Sequence, residues 1–158
     1  MSRLVLAAAL VAIAATPHAS AGAQLLDTKV ISLEAAKKMA AAAEAEARRN
    51  GWTVAVAVVD VSGGLILFHR LDRVQTASLD IAIAKARTAA RFRRPTKALE
   101  DAVAGGRMAI LSFEGVVAVE GGLPIVVGDD VIGAIGVSGM TSQQDGVVAK
   151  AGADVVTP

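Results

Sequence analysis

Thr53-Val-Ala-Val-Ala-Val-Val-Asp60, then Val61-Ser62-Gly63-Gly64, then Leu65-Ile-Leu-Phe-His-Arg-Leu71: this stretch decides the fold class. A β-branched run, a pair of glycines and a second apolar run read as a β-hairpin. Both strands are apolar almost throughout instead of alternating. That pattern is expected of a sheet covered on both faces, by helices or by a neighbouring subunit. Consecutive strands joined by so short a turn are antiparallel, which argues against a doubly wound parallel sheet.

Upstream of the hairpin, Ser32 can cap a helix that starts at Leu33 and carries Leu33, Ala36, Met39, Ala40, Ala43 and Ala47 at helical spacing. Asn50-Gly51 stops it. Downstream, Thr76 or Ser78 can cap a second helix running to about Phe92, and Pro95 suits the first turn of a short third helix ending at Gly105-Gly106. The stretches Gly115–Glu120, Gly121–Val127 and Val131–Ser138 then read as two or three further strands, with a tight turn at Gly128-Asp129-Asp130. Ser142 with Asp145 three residues on resembles a capping box that opens a last helix to about Ala151, with Gly152 just past its end. The resulting expectation is an α/β (α+β) domain with a central antiparallel sheet and helices on its faces.

The amino terminus reads differently from the rest. A basic start at 1–3 precedes the apolar run Leu4–Ala15, which is shorter than the roughly 20 residues a membrane helix needs. Small residues follow at the −3 and −1 positions of two overlapping sites, after Ala21 or after Ala23, so residues 1–23 are expected to be a cleaved secretory signal and 24–158 a single domain, periplasmic or secreted. Of 16 Lys+Arg and 15 Asp+Glu, the leader removes only Arg3, which balances the charge of the remainder. No global field draws such a domain to nucleic acid or to a membrane. The absence of cysteine excludes disulfides and thiolate chemistry. With 54% hydrophobic and only 3% aromatic residues, the core is Ala, Val, Ile and Leu, and the apolar surplus suggests a homo-oligomer.

Five motifs stand in a recognisable order: Val58-Val59-Asp60-Val-Ser-Gly63; Arg70-Leu71-Asp72; Ala84-Lys85-Ala86-Arg87-Thr88-Ala89; Gly121-Gly122-Leu-Pro124; and Ile132-Gly133-Ala-Ile-Gly136-Val-Ser138-Gly139 followed by Asp145. Over about Ser32 to Val155 they resemble the GlcG/HbpS-like, or haem-degrading domain, family. The resemblance implies a profilin-like α/β/α sandwich and frequent oligomers. It further implies haem binding or degradation, or association with corrinoids or with glycolate and diol catabolism. In the family, haem binding has been ascribed to a threonine hydroxyl, which here points at Thr88 or Thr96.

Axial donors for haem are scarce once the leader, with His18, is gone: His69, Met39, Met108 and Met140 are the usual types left. His69 is therefore the candidate metal ligand, although a lone histidine on an apolar strand is more often a packed core residue. Arg87, Arg91, Arg93, Arg94 and Lys97 cluster at a helix end, where Arg91 and Arg94 could clamp haem propionates or simply complement the helix dipole. Asp60, Arg70, Asp72 and Lys85 bracket strand ends and an apolar helix, where charge is costly unless paired. They are either structural salt bridges or, lining a pocket, an acid–base set for a small carboxylate, with Asp60 or Asp72 beside Lys85 and Arg70 as the anion clamp. Two functions are thus expected: an exported haem or tetrapyrrole binder, or a cofactor-independent isomerase, tautomerase or lyase.

Overall fold

The computed structural model describes residues 28–156, so the leader expected at 1–23 lies outside them. The order is α1 (Leu33–Arg49), β1 (Ala55–Asp60), β2 (Leu65–Arg70), α2 (Ala77–Phe92), α3 (Thr96–Ala104), a 3-10 turn (Met108–Ser112), β3 (Gly122–Val127), β4 (Asp130–Ser138) and α4 (Ser142–Ala153). All strand pairs are antiparallel, in the spatial order β2-β1-β4-β3. The hairpin that fixed the expected fold class is present, with β1 buried from Ala55 to Val59.

Helices cover both faces, giving an α/β/α sandwich. On one side α1 and α4 pack on Val56, Val58, Ile125, Ile135 and Val137; on the other, α2 packs on Ala55, Ala57, Val59 and Ala134. The second interface is made almost wholly of small residues, which lets α2 lie directly on β4. A Cβ on Gly136 would stand 2.2 Å from the Ala82 carbonyl oxygen and 2.4 Å from the Ala86 nitrogen.

Three local expectations are corrected. Residues 115–120 form no strand. Two of their backbone N–H groups are taken by side chains instead: Val117 donates to Thr88 Oγ1 at 3.0 Å and Glu120 to the Glu100 carboxylate. The capping box of α4 is Thr141 with Gln144, one residue earlier than expected, and the helix runs to Ala153 with Gly152 inside it. Finally, β2 is an edge strand and only half buried, because nothing pairs with its outer side among the described residues. The reading of both strands as fully covered holds for β1 alone.

Candidate functional site

A lysine interrupts the alanine stripe of α2 at Ala82, Lys85, Ala86 and Ala89. Lys85 is 1% exposed, and so is Asp145, in the first turn of α4. Lys85 Nζ donates to Asp145 Oδ2 at 2.8 Å, while the Met140 N–H donates to Asp145 Oδ1 at 3.0 Å. Burial pushes the Asp145 carboxyl above its ordinary range, and the Lys85 ammonium pulls it part of the way back. The glycine pair that opens β3 leaves room for this arrangement. A Cβ on Gly121, whose φ is +124°, would lie 2.8 Å from Lys85 Nζ, and one on Gly122 would lie 2.4 Å from the Lys85 carbonyl oxygen.

Above the pair opens a cleft of about 270 Å³, with Lys85 and Asp145 in its lining together with Ile81, Val119, Ser138 and Met140. The expected partner of Lys85 is thereby corrected: neither Asp60 nor Asp72 reaches it. Asp60 closes the hairpin turn, accepting from the Ser62 and Gly64 N–H groups and the Ser62 hydroxyl, and these bonds hold its carboxyl below the usual range. Asp72 is exposed and lines a groove at the far end of β2 with Arg48, Trp52 and Leu71. Arg70 is exposed at the end of β2 and joins neither of them in an ion pair among the described residues. Asp145 is the residue that sequence reasoning missed, having assigned it to a cap. The signal was the lysine within an alanine stripe, which demands a buried counter-charge from another element.

The other candidates are dispersed as well. His69 lies opposite Val56 on the α1 face, its side chain 40% exposed, with Nδ1 in contact with the Glu44 carboxylate. Glu44 also meets Arg48 at 3.4 Å. Arg91 belongs to the opposite face, where its Nε donates to the Ser62 carbonyl at 3.0 Å, and Arg87 makes the matching bond to Gly63 at 3.1 Å. Arg94 lines a cleft with Arg107, Phe92 and Phe113. The basic cluster is thus split between a turn clamp and this aromatic cleft, and neither adjoins His69. Thr88 and Thr96 are buried, their hydroxyls accepting from the Val117 and Gly122 N–H groups at 3.0 and 2.9 Å. Among the described residues no three His, Cys, Asp or Glu side chains converge as a metal cluster, and no helix is long and apolar enough to cross a membrane.

Fold and site together define the class: a small α+β sandwich with an antiparallel sheet and a ligand-sized cleft over a buried ion pair. The chain belongs to the family described as haem degrading protein HbpS-like, whose model matches residues 31–154. It is 44% identical to protein GlcG of Escherichia coli K12 over 114 residues, which is 72% of this chain and 85% of that one. A double mutant of HbpS from Streptomyces reticuli superposes with a TM-score of 0.80 at 34% identity, covering 92% of this chain and 99% of that one. PduOC, solved as a complex with haem, superposes at 0.74 with 26% identity, covering 81% and 96%. The family description is haem-related, and one structural neighbour is solved with haem bound.

Proposed function

We propose that this protein is an exported haem-binding protein with His69 as axial donor. The observation that carries the choice of residue is the Glu44–His69 contact. A carboxylate facing Nδ1 holds the proton there, fixes the ring and leaves the Nε2 lone pair for a metal. Among the alternatives, Thr88 and Thr96 are buried and already engaged, and Met39 is fully buried. Haem, when bound, supplies a redox-active iron. The chain would supply the donor, the carboxylate that orients its ring, and Arg48 beside Glu44 as a cation for a propionate. Arg91 and Arg94, expected in that last role, stand apart from a site centred on His69.

Export rests on the leader-like residues 1–23, and a homo-oligomer on the exposure of Met108, Leu111 and Phe113 near the Arg94 cleft. The test of the haem reading is a hemin titration of the purified protein. A saturable shift of the Soret band is expected, altered in His69→Ala and weakened roughly 10- to 100-fold in Glu44→Gln. A featureless titration would overturn haem binding, and an unaltered spectrum in His69→Ala would overturn the donor.

A further inference from the structure

A buried ion pair is a poor source of stability, since well-packed apolar residues of the same volume serve as well or better. Lys85 and Asp145 nevertheless stand within a core of Ala, Val and Ile. They also line the cleft, beside the apolar side chains of Ile81, Val119 and Met140 and the polar ones of Gln75, Ser138 and Ser142. The ammonium has three N–H groups, and among the described residues its hydrogen bonding is to Asp145 alone. Two donors are left for an acceptor entering from the cleft.

The charge balance selects that acceptor. Lys85 and Asp145 together are neutral, so a carboxylate bound beside them would bring a negative charge that no further cation in the cleft lining compensates. An uncharged carbonyl oxygen accepts from the ammonium without that cost. At about 270 Å³ the cleft lies just below the roughly 300–1,000 Å³ of drug-sized ligand pockets, which suits a small compound. We propose that the Lys85–Asp145 cleft binds a small uncharged carbonyl compound, its oxygen accepting from Lys85 Nζ and its apolar body resting on Ile81, Val119 and Met140. Asp145 acts as a positioning residue that holds the ammonium in place. This site is separate from the proposed haem donor, which lies across the sheet on the α1 face.

Cyclopentanone is the probe and pentanoate its charged control, added to the purified full chain and followed by chemical-shift titration and by the infrared carbonyl stretch. The ketone should bind saturably, with its stretch moved to lower frequency, and at least roughly tenfold more tightly than pentanoate. The double variant Lys85→Met with Asp145→Asn removes both charges at similar volume; it should lose the infrared shift and bind at least tenfold more weakly. Ile81→Trp, on the cleft wall one helical turn before Lys85, should block binding even if the double variant fails to fold. His69→Ala should leave ketone binding unchanged, which separates this site from the haem reading. Unsaturable ketone binding, equal or tighter binding of pentanoate, or an unmoved carbonyl stretch would each overturn the proposal.

Discussion

Lys85 and Asp145 are opposite charges in a medium that tolerates neither alone. Asp145→Asn leaves the ammonium buried without its counter-charge, and we expect a loss of roughly 3–5 kcal/mol in urea unfolding. The two perturbed aspartates bend the pH profile of stability in opposite directions. The Asp145 pKa is raised above 3.8, so the folded state holds that proton more firmly than the unfolded chain. Its contribution is full below 3.8 and is lost as pH rises through the folded value. The Asp60 pKa is lowered from 3.8 by the Ser62 and Gly64 hydrogen bonds, so its contribution is present above 3.8 and is lost as pH falls through the folded value. Urea unfolding at a series of pH values should therefore show a smaller acid loss in Asp60→Asn. An acid limb unchanged in that variant would contradict the turn-capping role.

Elements are held together here by close approach, and two glycines measure it. In a helix, replacing Gly by Ala ordinarily gains about 0.5–1 kcal/mol from backbone entropy. At Gly152 in α4 a Cβ would stand 2.5 Å from Ile135 Cδ1, which can move, and 2.9 Å from the Met39 carbonyl oxygen, which cannot readily do so. Overpacking of this kind costs about 1–3 kcal/mol, so Gly152→Ala should be destabilising on balance. At Gly136 in β4 every close atom is backbone of α2. We expect Gly136→Ala to lower the thermal midpoint more than Gly152→Ala; the reverse order would show that α2 can lift from the sheet. The glycines of β4 and its flanks stand out in the sequence as a motif, but which helix each one admits does not. That information lies in the pairing of β4 between β1 and β3, which puts Gly136 under α2.

For the molecule as a whole, the expected export and assembly are checked on protein expressed from the full sequence. Its amino terminus should be Gly22 or Gln24, and sedimentation should give a species larger than a monomer; an intact Met1 would refute cleavage and a clean monomer would refute assembly. The local order of elements was determined by the sequence itself. Apolar runs, glycine turns and helical spacing are short-range signals, and they specified the hairpin, the first three helices and an antiparallel sheet. Local competition misled at residues 115–120, where side chains of α2 and α3 take backbone N–H groups that a strand would have offered to a neighbour. The partner of Lys85 was decided only by tertiary structure. Sixty residues separate it from Asp145, and which carboxylate meets a buried ammonium depends on how α2 and α4 approach the end of β4. His69 and Arg91, close enough in sequence to suggest one site, were parted for the complementary reason: a sheet has two faces, and helices on each side draw their partners apart.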